Sequence, residues 1–389
     1  MKTGINNQNK ELFESFKLGN TNMKNRFVVP SINRCRANKL NNMPVDLMGY
    51  FYMQRYHNAL IITDDCYVNA DYFPFKGLAG IYNEQQTNAW LEVVDKVHSR
   101  TTNIYLSLFH PGRVVSDSQL PQGVSALAPS QIQIEGKNMF CKDELFSVPS
   151  EMTKEDINRI KLDFKKAALN AKQAGFDGIQ INAGNGFLID QFLRDGSNNR
   201  KDEYGGSIQN RCRFCLEIID EILTVYSNDR LSIKLSPINK QYSMSDSNPI
   251  ELMAYLLKEI EKRKLAFVEI KKVGYLDIIP TQQKQTEIEF SKYNLEDPMP
   301  EFFKIIKSFY NGNMIANSDF QSFEEANSLV RDIGYQAVAF EVLSITNPDI
   351  PQRIKERGNI NKNLRSVFLY NGDRNGYTDY PYYIAHSKF

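Results

Sequence analysis

The chain has few of the residues that hold metals and none of the patterns that mark a membrane span. Its 389 residues include four histidines and five cysteines. His57, His98, His110 and His386 are scattered and show no metal-ligand spacing. Cys35, Cys66 and Cys141 stand alone. Cys212 and Cys215 form one CxxC, but NRCRFCLEIIDEI reads as helix, with no second pair and no βαβ redox context. Ordinary buried or half-buried thiols are expected, and no metal. No run approaches the ~18 apolar residues of a membrane span. The first residues, MKTGINNQNKELF, are polar and lack the apolar core of a signal peptide. Charge is balanced, 47 Lys and Arg against 46 Asp and Glu, without a block of one sign. Nucleic acid and acidic membrane surfaces are therefore not expected as partners. Also missing are internal repeats and linkers rich in Gly, Pro or Ser. What remains is the expectation of a soluble cytoplasmic protein, either free or bound to a larger structure.

Hydrophobic residues make up 42% of the chain, ample for a large core. They recur in short runs rich in β-branched and aromatic residues. Strands are expected at RFVVPS (26–31), ALIITD (59–64), NIYLSLF (103–109), GIQIN (178–182), LSIKLS (231–236), AFVEIK (266–271), NMIAN (313–317) and QAVAF (336–340). Near-continuous apolar character implies burial on both faces, as in parallel sheets. Helical patterns lie between the runs. Thr153-x-x-Asp156 resembles a capping box, followed at helical spacing by Ile157, Ile160, Phe164, Ala167 and Ala171. Ser322-x-x-Glu325 opens another helix, with Ala326, Leu329 and Val330 inward. Eight strands alternating with helices predict an α/β fold, a (β/α)8 TIM barrel, as a single domain over 1–389 with its core at about 10–385. The long irregular stretch at about 114–150, after strand three, predicts a cap over one end of the barrel.

Sites in such barrels lie at the C-terminal ends of the strands. The residues there are Asn33 and Arg34, Asp64 and Asp65, Ser107 to His110, Asn182 and Asn185, Lys234, Asn317 to Asp319, and Glu341 and Val342.

The stretch GFDGIQINAGNGFLIDQFLRDGSNNRKDEYGGSIQNRCRF resembles the signature of the old yellow enzyme family, the NADH:flavin oxidoreductases and enone reductases. The resemblance begins at LFESFKLGNTNMKNRFVVPSINRCRA and closes at ITNPDIPQRI and NGYTDYP. It implies FMN held without a covalent bond, reduced by NAD(P)H, with hydride then passed to an activated alkene. On that resemblance the pair that binds the substrate carbonyl falls on Asn182 and Asn185, and the proton donor on Phe187, which has no proton to give. Tyr377 falls on a pocket tyrosine. The flavin positions fall on Pro30, Asn33, Asp65, Ser107 and Lys234 around the ring, and on Ser318, Asp319, Glu341 and Val342 around the phosphate.

Several of these positions depart from the family pattern in the direction of weaker flavin binding. Lys234 replaces a planar guanidinium. Ser107 is too short for a double amide contact. Asp65 replaces a small residue and sets a carboxylate beside a ring that becomes anionic on reduction. At the phosphate, Val342 replaces an arginine, Ser318 and Glu341 replace glycines, and Asp319 adds a second carboxylate. A phosphomonoester carries about −1.5 to −2 charge. A unit-charge pair at 4 Å is worth roughly 4 kcal/mol near a protein surface, so turning attraction into repulsion removes several kcal/mol. By contrast, Asn199-Arg200, Asp202 to Ser207 and Asn210-Arg211 match the family's loop after strand four. The leading expectation is a barrel kept for its shape, with FMN weak or absent, serving as a structural or interaction subunit among other proteins. The alternative is an FMN-dependent NAD(P)H oxidoreductase with a remodelled site, in which solvent supplies the proton. In a third reading, Asp65, Asp319, Glu341 and Lys234 select a cationic or amphoteric molecule. His110 and Arg113 are expected to shape the cap, and Asp64 to act as a hydrogen-bond acceptor in a loop.

Overall fold

The structure, a computed structural model, describes residues 4–142, 144–272, 299–320 and 322–383. His386 lies outside the described residues. The expected strands form as β1 (Phe27–Val29), β2 (Leu60–Tyr67), β3 (Asn103–Phe109), β4 (Gly178–Asn182), β5 (Leu231–Leu235), β6 (Phe267–Lys271), β7 (Met314–Ser318) and β8 (Ala337–Phe340). Each pairs in parallel with its neighbours, and β8 returns to β1, closing the barrel.

Helices fill the intervals as α1 (Asp46–Met53), α2 (Glu84–His98), α3 (Lys154–Gln173), α4 (Leu188–Leu193), α5 (Ile208–Leu223), α6 (Pro249–Arg263), α7 (Met299–Lys307), α8 (Phe323–Ser328), α9 (Glu341–Thr346) and α10 (Ile350–Lys355). Their starts are written locally. Asn83, Ser207, Asn248 and Ser322 accept from the backbone N–H three residues on, and Thr153 with Asp156 completes the capping box of α3. Among the described residues no helix is long and apolar enough to cross a membrane, and no group of His, Cys, Asp or Glu could hold a metal ion. Cys212 and Cys215 are free thiols buried on α5.

The barrel interior divides into two halves. At the N-terminal end, Val28, Leu60, Ile62, Tyr105, Phe267, Ile315, Ala337 and Ala339 pack as one apolar cluster. A short hairpin, Phe16–Leu18 paired with Thr21–Met23, brings Leu18 and Met23 into that cluster. At the other end the inward positions turn polar: Ser107, Gln180, Asn182, Lys234, Glu269 and Asn317 are each 0–1% exposed.

One extra residue in β2 decides which aspartate joins them. Ile62 stands opposite Tyr105, but Asp65, not Asp64, stands opposite Ser107. Because side chains alternate along a strand, this bulge exchanges the inward and outward sets beyond it. Asp65 therefore meets Ser107 inside the barrel, while Asp64 turns to the loop behind β1.

The segment after β3 covers the mouth as expected. It is less irregular than its sequence suggests: Leu127–Ala128 pairs with Ser150–Glu151, and Lys137–Asn138 with Glu144–Leu145. Ile134 and Phe146 of this cap pack with Phe187 and Tyr242.

Candidate active site at the barrel mouth

Asp65 is the centre of a closed set of hydrogen bonds. Its Oδ1 accepts from Ser31 Oγ (3.1 Å), Ser107 Oγ (2.8 Å) and Asn182 Nδ2 (2.9 Å). Its Oδ2 accepts from Asn33 Nδ2 at 3.0 Å, and its own N–H donates to Asn33 Oδ1 at 2.9 Å. Asn182 Oδ1 accepts from Gly184 N, so both ends of that amide are engaged. A carboxylate 2% exposed is tolerable because hydroxyls and amides replace its water.

Glu269 forms a second centre one layer deeper. It accepts from Gln180 Nε2 (2.8 Å) and Asn317 Nδ2 (2.6 Å) and lies 3.7 Å from Lys234 Nζ. Lys234 and Glu269 are both fully buried, and Lys234 Nζ also donates to Ser31 O. The position that would face a flavin ring on the family pattern is thus committed to an internal ion pair.

The corner between β7 and β8 is electrostatically different from what its sequence suggests. Glu341 Oε1 lies 2.9 Å from Lys271 Nζ, with side chains 2% and 6% exposed. Lys271, at the end of β6, therefore neutralises one of the two carboxylates, and the expected repulsion of a phosphate is smaller than two charges would give. The other carboxylate, Asp319, accepts from Val342 N at 3.3 Å, taking a backbone N–H at the start of α9. Ser318 is buried beside it.

Between these groups and the cap lies a cavity of about 70 Å3. Its lining includes Asn33, Asp65, Lys271 and Glu341 together with five aromatic side chains, Phe75, Phe140, Phe187, Tyr242 and Tyr370. Phe187 packs edge-on against Phe75 and Phe109. Asn185 also lines the cavity and holds a left-handed backbone, φ 58°, with its N–H donating to Ser236 Oγ at 2.6 Å. For a residue other than glycine that conformation is strained, and such strain concentrates at functional sites.

Of the positions singled out in sequence, Asn33, Asp65, Asn185, Phe187 and Glu341 line the cavity. Asn182, Ser107 and Lys234 lie beneath them in the hydrogen-bonded floor. Pro30, Ser318, Asp319 and Val342 are not among the lining residues, nor is Tyr377. Tyr377 stacks on Phe51 at 4.1 Å, with the guanidinium carbons of Arg34 and Arg36 5.3 and 4.9 Å from its ring centre. Burial raises its phenol well above the usual range.

Arg34 and Arg36 reach the carbonyls of Phe368, Leu369, Asp373, Asn375 and Gly376, tying the C-terminal strap to the loop after β1. That strap presents Tyr370, not Tyr377, to the cavity. Asp64 serves this loop. It accepts from Arg34 N, Cys35 N and Tyr52 Oη, while burial pushes its carboxyl upward. Arg113, lowered to about 10 by burial, donates to Ile132 O and Tyr242 O and so fastens the cap to the loop after β5. His110 Nδ1 accepts from Gly112 N, and its Nε2 lies 3.6 Å from Asp71.

The loop after β4 is held as firmly as the mouth. Arg200 bonds Asp202 and the carbonyls of Pro129 and Met152, Asn198 bonds those of Phe192 and Tyr204, and Arg211 pairs with Asp246 at 2.5 Å.

Four residues that matter at the mouth escape the sequence reading: Glu269, Lys271, Tyr242 and Tyr370. For the first two a signal exists. A glutamate and a lysine inside the apolar run AFVEIK must point somewhere, and buried charges are paired. For the two tyrosines no local signal does.

Known proteins agree with this architecture. The model of the NADH:flavin oxidoreductase / NADH oxidase family matches residues 11–361. A putative 12-oxophytodienoate reductase 2 of Oryza sativa subsp. japonica is 31% identical over 372 residues, covering 95% of this chain and 94% of that one. A probable flavin mononucleotide-dependent alkene reductase of Leishmania infantum is 32% identical over 371 residues, covering 94% and 95%. Among solved structures, morphinone reductase in complex with tetrahydroNAD superposes with a TM-score of 0.85 at 29% identity, covering 97% of this chain and 99% of that one. The old yellow enzyme homologue from Zymomonas mobilis gives the same TM-score and identity over 95% and 99%. By sequence and by barrel alike, the chain belongs to the NADH:flavin oxidoreductase / NADH oxidase family.

Proposed function

We propose that this chain keeps the family's barrel without its flavin chemistry and acts through its surface, as a structural or interaction subunit beside other proteins. One observation carries the reading. The donors at the mouth are taken by the mouth's own carboxylates, although Gln180 Oε1, Asn185 Oδ1 and Asn317 Oδ1 accept no hydrogen bond. Asp65 takes donors from Ser31, Asn33, Ser107 and Asn182, Glu341 takes Lys271, and Asp319 takes the Val342 N–H. On the family pattern Asn33, Ser107 and Asn182 are ring and substrate contacts, so FMN would have to displace bonds already made. It would also have to enter a cavity of about 70 Å3, where ligand pockets typically measure roughly 300–1,000 Å3. The residues present do not fit FMN. Leu145 and Val148 on the cap and Val367 on the C-terminal strap, each more than 60% exposed, are among the large apolar side chains available for contact.

The second reading is an FMN-dependent NAD(P)H oxidoreductase with a remodelled site. It is favoured by the relatives' names and by the meeting of Asn185 and Phe187 at one cavity.

Native-size measurement on protein drawn from its own source, with NADH oxidation assayed on the same fractions, separates the two. The proposal expects co-migration with fixed partners and no flavin-dependent turnover. A monomer that oxidises NADH against cyclohexenone in the presence of FMN would establish the second reading instead.

A further inference from the structure

Among the described residues that line it, the cavity holds one negative charge in excess. Of its lining residues Asp65, Glu341 and Lys271 are charged, and Lys271 sits 2.9 Å from Glu341. Asp65 makes its bonds to hydroxyls and amides, and among the described residues no Lys, Arg or His stands within ion-pair distance of it. Three of its four side-chain donors converge on Oδ1, so Oδ2, with Asn33 alone, retains capacity to accept. A buried carboxylate without a cation is electrostatically incomplete, and four hydrogen bonds stabilise it without cancelling its charge. A second acceptor is near: Asn185 also lines the cavity, and its Oδ1 is buried and has no hydrogen-bond partner.

The lining is also rich in aromatic rings. Phe75, Phe140, Phe187, Tyr242 and Tyr370 form a chain of ring contacts with centroids 4.9–6.3 Å apart. Rings attract a cation over their faces, and the attraction grows when water is excluded. Aromatic rings, a carboxylate and one uncancelled charge together specify an organic cation. Size limits it further. On the measure by which one water needs about 10–15 Å3, the cavity's 70 Å3 admits a group of only a few heavy atoms.

We propose that the mouth of this barrel binds a small primary ammonium group, its N–H donors directed to Asp65 and Asn185 and its carbon skeleton against the aromatic rings. Charge balance among the described residues favours a monocation over a zwitterion, because Lys271 pairs with Glu341. The inference shares one premise with the flavin-free reading, that the mouth is not filled by FMN.

Saturation-transfer NMR on the full chain tests it with three probes of equal heavy-atom count: isopropylammonium, isopropanol and acetate, at matched ionic strength. Saturable transfer is expected to isopropylammonium alone. Asp65→Asn, which keeps the shape and removes the charge, should weaken binding at least tenfold, and Phe187→Leu should weaken it severalfold. Equal binding of isopropanol would overturn the proposal, since the cavity would then be taking carbon and not charge. No saturable signal from the ammonium, or wild-type affinity in a folded Asp65→Asn protein, would overturn it as well. A parallel FMN titration tells the two failures apart. Bound flavin sinks the flavin-free reading, whereas neither ligand binding sinks this inference alone.

Discussion

The two halves of the barrel interior are built from the same strands by opposite means. The lower half is hydrocarbon. Val28, Leu60, Ile62, Phe267 and Ile315 fill it, and the hairpin residues Leu18 and Met23 stopper it. The upper half is a lattice of hydrogen bonds around Asp65 and Glu269, with Lys234 buried between β1 and β6. Packing in the lower half is non-directional and depends on volume. Order in the upper half depends on each donor having its acceptor, so a single change there leaves several groups unsatisfied. A scaffold can be kept by the first half alone. The second half is where function would be kept or given up, and here its polar groups are turned on one another.

The largest expected effect is in the lower half. Phe267→Ala should cost about 3–5 kcal/mol in chemical denaturation, through lost contacts and the cavity left behind, with ammonium binding at the mouth retained in the folded fraction. Glu269→Ala should cost a comparable roughly 3–5 kcal/mol, because Lys234 is left buried without its carboxylate. The halves then part company. Adding Lys234→Met to Glu269→Leu should recover part of that loss, since a buried pair can be replaced by matched apolar groups, but not all of it, because Gln180 Nε2 and Asn317 Nδ2 still lose their acceptor. A double mutant less stable than Glu269→Ala would show that the ion pair is worth more than its desolvation.

Asp65→Ala is expected to be milder, about 1–3 kcal/mol by thermal or chemical unfolding, because water can enter from the cavity to the abandoned donors. No loss at all would mean that the hydrogen bonds around Asp65 do not hold the strand ends. Smallest is the surface. Leu145→Ser with Val148→Ser should change stability by less than about 0.5 kcal/mol and yet weaken co-migration with partners. Unchanged co-migration would move the contact surface away from the cap.

Much of this was legible in sequence because burial on both faces writes a strand as an unbroken apolar run. LIIT and NIYLSLF could be placed without knowing what surrounds them, and Thr153 with Asp156 announced the start of α3. The mouth was legible as a set of strand ends but not as a set of contacts. Nothing in LIITDDCY says that an extra residue turns Asp65 inward and Asp64 outward, since a bulge is a property of the pairing with β3. Glu341 read as a bare charge because its partner, Lys271, is seventy residues away on another strand. Tyr377 and Tyr370 differ only in which one the Arg34 and Arg36 clamp holds back, and that clamp is made by the loop after β1.

The donors at the barrel mouth are already held by Asp65 and Asp319, so FMN would have to displace them. Titrating the purified chain with FMN, followed by desalting and visible absorbance, tests it most directly. A colourless protein is expected, with no saturable binding at tens of micromolar FMN. Near-stoichiometric yellow protein would mean that Asp65 and Asp319 yield their bonds to the ligand, and that the barrel is an oxidoreductase still.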